Sequence, residues 1–124
     1  MTILLVEDQE LVRDTVRGML EALGYEVHEA ADPSQAIEGF LSKGASVDLV
    51  VTDVVMPEMS GPEFAEWLAL VNPELPILFM SGYTDDRVVP YQHGRSAFIE
   101  KPFDMKTLGT KITELTEVEP TAAS

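Results

Sequence analysis

Short apolar runs that each stop at a polar residue, separated by stretches of helical period, restrict this chain more than any other feature. Ile3 to Val6 is apolar with β-branched ends and passes straight into Glu7, Asp8, Gln9 and Glu10 before a helical pattern begins. Val12, Val16, Met19, Leu20 and Leu23 then recur three or four apart, Arg13, Asp14, Arg17 and Glu21 fall elsewhere, and Gly24 supplies the stop. Tyr25 to Ala30 reads as a second strand. Asp32-Pro33-Ser34-Gln35 offers an N-cap, a proline at the first helical position and a capping-box glutamine, predicting a helix to about Lys43. Asp48 to Thr52 is a third strand, and its Leu49, Val50 and Val51 imply cover on both faces. Ser60 with Glu63 opens a third helix carrying Phe64, Trp67, Leu68 and Val71 on one stripe. Pro76 to Met80 and Ala97 to Glu100 read as strands, and Leu108, Ile112 and Leu115 mark a final helix capped by Asp104.

Strands alternating with helices over short links imply right-handed crossovers and a parallel sheet covered on both sides. The expected fold is α/β, a five-stranded doubly wound sheet of order 2-1-3-4-5 in a three-layer, flavodoxin-like sandwich. With 124 residues there is room for one such domain, read here as residues 1–118 with a frayed tail over 119–124. One segment fits poorly. Thr84 to Gly94 has only Val88 and Val89 as an apolar pair and contains Pro90, which costs about 3 kcal/mol in a helix interior. A short or irregular fourth helix is predicted there.

Charge removes several functions. A formal net charge of -14 repels phosphate backbones and disfavours direct nucleic-acid binding, while partners with basic surfaces are favoured. The apolar runs are too short and too often interrupted by charge for membrane insertion. No basic, apolar and cleavable amino-terminal pattern occurs and cysteine is absent, so a cytoplasmic location is expected.

In an open parallel sheet, function collects beyond the carboxyl ends of the strands, where strand order reverses. Those ends carry Glu7-Asp8, Asp53, Ser81 and Lys101. With the first and third strands adjacent, Asp8 and Asp53 repel one another unless a cation lies between them. Oxygen donors suit a hard ion such as Mg²⁺, whereas the absence of cysteine and the scatter of His28 and His93 disfavour zinc. Such a site suits phosphoryl transfer to a carboxylate. Asp53 is then the nucleophile, and Asp8 chiefly holds the metal. Glu7 contacts the ion directly or through water, and the carbonyl of Val55 completes the protein ligands. Ser81 and Lys101 donate to phosphoryl oxygens. Asp8 could instead, or in addition, cap the first helix.

Glu7-Asp8, Asp53 with Met56-Pro57 and Gly61, Ser81-Gly82, and Lys101-Pro102-Phe103, in order at successive strand ends, resemble the receiver domain of two-component response regulators. The likeness covers roughly residues 2 to 117. It implies that Asp53 takes its phosphoryl group from a phosphohistidine on a sensor histidine kinase or a histidine phosphotransfer protein, with Glu7 and Asp8 serving Mg²⁺. It also implies that Ser81 is the switch hydroxyl, Phe98 the switch aromatic and Lys101 the phosphoryl ligand, with a cis bond before Pro102. Phe98 could equally be a permanent core ring. Phe79-Met80-Ser81-Gly82-Tyr83-Thr84-Asp85 is most similar to receivers of hybrid sensor kinases. The resemblance also implies that the residues two beyond the phosphoacceptor and the switch hydroxyl govern attack by water, and here Val55 and Tyr83 predict slow self-dephosphorylation. The weak fourth helix predicts a monomer that docks partners through its first helix and the phosphorylation loops.

Other classes fit less well. A flavin-binding domain of this layer order wants a Ser-, Thr- or Gly-rich first loop, and Glu7 to Glu10 would repel a phosphate. An aspartyl phosphatase wants a second acid two residues beyond its nucleophile, where Val55 stands. No separate metabolic substrate is expected. The closer alternative is a receiver-like adaptor that works without phosphorylation.

Overall fold

Period-two alternation within each strand divides the interior into two halves. Ile3, Leu5, Leu49, Val51, Leu78 and Met80 point to one face of the sheet, while Leu4, Val6, Val50, Ile77 and Phe79 point to the other. The computed structural model describes residues 1–42, 47–56, 59–82 and 96–116. In chain order its elements are β1 (Thr2–Val6), α1 (Glu10–Ala22), β2 (Glu26–Ala30), α2 (Pro33–Ser42), β3 (Leu49–Asp53), α3 (Gly61–Val71), β4 (Ile77–Ser81), β5 (Ser96–Glu100) and α4 (Met105–Thr116). The strands form one parallel sheet in the order β2-β1-β3-β4-β5, as the alternation predicts. α1 and α4 cover the first face through Val16, Leu20, Leu108 and Ile112, and α3 covers the second through Phe64 and Leu68. Trp67 packs against that second cluster, as its place on the α3 stripe implies. Each fully buried Leu, Ile or Phe adds about 1.5–3 kcal/mol of hydrophobic stabilisation, so this two-sided burial holds the central strands in place.

The helix ends follow their local chemistry. α1 closes on Gly24 at φ 94°, with Gly24 N–H donating to Glu21 O at 3.0 Å and Tyr25 N–H to Leu20 O at 3.1 Å. That last bond occupies the Tyr25 amide, so β2 starts at Glu26 and not at Tyr25. At the start of α2, Asp32 Oδ1 accepts the Gln35 amide at 2.8 Å, and Gln35 Oε1 accepts the Ala31 amide at 3.0 Å. Ser60 and Glu63 make the reciprocal capping box of α3 at 3.1 and 3.2 Å, and Asp104 accepts the Thr107 amide at 2.8 Å to open α4.

Strand ends differ from expectation by one residue in ways that matter. β3 includes Asp53, which lies opposite Met80 of β4, and the ladder continues through Val54 N–H to Met80 O at 3.1 Å. β4 begins at Ile77 and ends on Ser81, whose carbonyl accepts the Lys101 amide at 2.8 Å. The expected fourth helix between Thr84 and Gly94 lies outside the described residues. So do Pro57, Tyr83, His93, the 119–124 tail and the side chain of Val71.

Tyr25 is buried between the end of α1 and the sheet, and among the described residues its hydroxyl is a buried oxygen without a hydrogen-bond partner. A buried unsatisfied hydroxyl lowers stability. Tyr25→Phe is therefore expected to raise the unfolding free energy by about 1 kcal/mol in urea denaturation, with the slope unchanged.

Candidate functional site

Three strand ends carry their polar residues into one crevice where β1, paired with both β2 and β3, marks the reversal of strand order. Glu7 follows β1 directly and is fully buried. Its amide donates to Ala30 O at 3.1 Å, prolonging the β1–β2 ladder by one residue. Its Oε2 accepts the Gln9 amide at 3.0 Å, and its Oε1 accepts the Lys101 ammonium at 3.1 Å. The same ammonium sits in close contact with Asp53 Oδ1. Asp53 itself is only 4% exposed. Asp8 projects into solvent beside them, and one carboxylate oxygen from each of Glu7, Asp8 and Asp53 lies within 4.8 Å of the others. Helix α1 takes Gln9 as its N-cap, with no side-chain capping bond, so the Asp8 carboxylate is not spent on capping.

Crowding three carboxylates around one ammonium perturbs each of them. Burial pushes the Asp53 carboxyl up to about 8, its hydrogen bond with Glu7 adds to this, and Lys101 pulls the other way. Burial also acts upward on Glu7, but the hydrogen bond with Asp53, the Gln9 amide and the Lys101 charge outweigh it and hold Glu7 below the usual range. Asp8 is raised by burial and by its nearness to Glu7. For Lys101, burial is overcome by Asp53 and Glu7, and its pKa rises. Of the two buried carboxyls, Asp53 is therefore the one readier to hold a proton. Hard oxygen donors around that excess negative charge fit a divalent ion such as Mg²⁺. His28, in mid-strand on β2 and 3.8 Å from Glu26, takes no part in this cluster.

The remaining expected residues also fall at this end of the sheet or along the strands that lead to it. Ser81 ends β4, half-buried, its carbonyl bonded to the Lys101 amide. Val55 lies two residues beyond Asp53 with 62% of its surface exposed. Phe98 is half-buried and stacks on its cross-strand partner Phe79, with ring centroids 5.0 Å apart and planes at 28°. The Lys101–Pro102 bond is cis. Two contacts are not evident from residue pattern. Arg13, placed by its helical spacing among the polar residues of α1, donates from Nη1 to the Glu7 carbonyl at 2.9 Å. Thr52 donates from its hydroxyl to the Asp53 carbonyl at 3.3 Å.

Residues 3–113 match the response regulator receiver domain family. The chain belongs to this family. The sensor kinase CckA of Brucella abortus is 42% identical over 119 residues, which are 94% of this chain and 12% of that protein. A cyclic di-GMP phosphodiesterase of Thermotoga maritima is 34% identical over 115 residues, 91% of this chain and 30% of that protein. The receiver thus spans a minor part of the length of these relatives. The crystal structure of the receiver domain from the hybrid histidine kinase CckA superposes with a TM-score of 0.77 at 31% identity, covering 94% of this chain and 99% of that one. The expected resemblance to hybrid-kinase receivers is thereby borne out. Among the described residues no helix is long and apolar enough to cross a membrane.

A raised Asp53 carboxyl in the folded receiver has a defined signature. With its pKa raised from 3.8 to about 8, Asp53 contributes stability that is fully present below the lower value and lost as pH rises through the higher. In magnesium-free buffer, Asp53→Asn is expected to match wild type near pH 4 and to exceed it increasingly toward pH 8. The gap should widen by up to about 1.4 kcal/mol per pH unit in chemical denaturation.

Proposed function

We propose that this receiver is a phosphorylatable switch of a two-component phosphorelay, accepting a phosphoryl group from phosphohistidine onto Asp53. The observation that carries this reading is the seating of Asp53 at the end of β3, nearly buried, under the Lys101 ammonium and within reach of two further carboxylates. Glu7, Asp8 and Asp53, with the Val55 carbonyl, would hold Mg²⁺. When bound, the ion offsets the charge of the transferring phosphoryl oxygens.

An oxygen of the Asp53 carboxylate attacks phosphorus as the phosphorus–nitrogen bond to the donor imidazole breaks. The electron pair stays on that nitrogen, leaving neutral imidazole after proton uptake, and the product is an acyl phosphate. Lys101 exchanges its carboxylate contacts for a phosphoryl oxygen, and the Ser81 hydroxyl donates to another. Because Ser81 O already accepts the Lys101 amide, movement at one reaches the other through a single hydrogen bond. Phe98 is the residue that registers this shift, turning from its stack on Phe79 into the space that Ser81 vacates.

The donor is a sensor histidine kinase or a histidine phosphotransfer protein. An apolar groove of about 280 Å³ runs between α1 and the segment after β5, lined by Leu11, Val12, Met19, Pro102 and Phe103 and also by Lys101. Leu11 is 82% exposed there. That surface suits the apolar face of a partner helix carrying the phosphohistidine. The strong negative charge keeps the domain off nucleic acid, and we read it as a cytoplasmic monomer comprising residues 1–118, with 119–124 a tail.

Incubated with a phosphorylated histidine kinase domain and MgCl₂, the wild type is expected to acquire acid-labile phosphate, and Asp53→Asn or excess chelator to abolish it. An unphosphorylated wild type under these conditions would favour the adaptor reading. Val55 has no group to orient a water molecule near the acyl phosphate. Val55→Asn is expected to shorten the lifetime of the purified phosphoprotein several-fold, measured as loss of label over time.

A further inference from the structure

Glu7 and Asp8 are joined by one peptide group, and the direction of that peptide decides where the Asp8 carboxylate points. On its amino side Glu7 is held by its amide bond to Ala30 O, and its own side chain is fixed by Gln9 and Lys101. Its carbonyl is held by Arg13, whose Nη1 donates to it at 2.9 Å. The guanidinium is aimed by a second bond from Nε to Glu29 Oε1 at 3.2 Å, and the Arg13 side chain is only 18% exposed. Glu29 lies on β2 opposite Leu5, so its backbone is held by the ladder to β1. Its other oxygen is engaged by Arg17, which Glu21 holds in turn at 3.4 Å. Both bonds of Arg13 use one planar group, which fixes the distance and angle between the Glu7 carbonyl and the β2 anchor.

We propose that Arg13 is a positioning residue for the metal-binding carboxylates: anchored on Glu29, it fixes the Glu7–Asp8 peptide and so aims Asp8 at the ion. This rests on the reading of the site as a magnesium centre. Charge and positioning make opposite predictions for Arg13. As a cation near the acidic cluster, Arg13 repels Mg²⁺, so its removal would tighten binding if charge were its only effect. As a positioning residue its removal weakens binding, by about tenfold for outer partners of metal ligands. Arg13→Lys keeps a donor for the Glu7 carbonyl but cannot reproduce the planar fork to Glu29, so it retains part of the affinity.

The test titrates the metal-free full chain with MgCl₂, following the Asp8 and Asp53 amide resonances by NMR in wild type, Arg13→Lys and Arg13→Gln. The expected order of Kd is wild type below lysine below glutamine, the last about tenfold above wild type. Before any Mg²⁺ is added, the Asp8 amide should exchange with solvent faster in both variants than in wild type. A folded Arg13→Gln that binds Mg²⁺ as tightly as wild type, or a lysine variant weaker than the glutamine variant, overturns the proposal. If Arg13→Gln does not fold, Arg13→Lys decides alone: a raised Kd supports the proposal and an equal or lower one overturns it. Absence of saturable binding in wild type would remove the magnesium reading and this inference together, whereas tight binding in all three proteins would remove only the inference.

Discussion

The ammonium of Lys101, lying between the carboxylates of Glu7 and Asp53, is the interaction on which the site depends. Without it, two carboxylates buried at the ends of adjacent strands would face each other with no compensating charge, which would cost several kcal/mol. With it the cluster persists, yet remains short of positive charge, since Asp8 adds a third carboxylate within 4.8 Å. Burial beside Glu7 raises the Asp53 carboxyl, and the residual deficit of positive charge fits the cluster to a divalent ion.

Lys101 can reach this place because of sheet topology. Glu7 and Lys101 are 94 residues apart in sequence, and parallel pairing in the order β2-β1-β3-β4-β5 returns every strand's carboxyl end to the same edge. The two apolar clusters above and below the sheet fix the register, because a slip of one residue would turn Leu49 and Val51 into the cluster under α3 and Val50 into the cluster under α1 and α4, mismatching both. Core packing therefore sets the geometry of the polar crevice to within a residue.

Much of this was legible in the chain itself. Apolar runs marked all five strands, and Gly24, Asp32, Ser60 and Asp104 marked helix ends through capping chemistry that acts over three or four residues. Glu7, Asp8, Asp53, Ser81 and Lys101 were legible as polar residues directly after buried runs. Strand limits were less so. Whether Tyr25 joins α1 or β2 depends on one amide, and whether Asp53 belongs to β3 depends on pairing with a strand more than twenty residues away. Arg13 was assigned to the polar side of a helix because spacing shows the face of a side chain but not its reach. Its bonds to Glu7 and Glu29 require α1, β1 and β2 to be assembled first.

Asp53 and Lys101 differ in how firmly the sheet holds them. Asp53 stands on β3, flanked by β1 and β4 and buried on both faces, whereas Lys101 follows β5, an edge strand whose ladder in the sheet is to β4 alone. The pocket is thus built like a vice with one fixed jaw and one sprung jaw. The β5 side is backed by one neighbouring strand and the β3 side by two, so a load placed between them meets less resistance on the side of Lys101. Mechanical compliance, set by strand order alone, gives the crevice a direction.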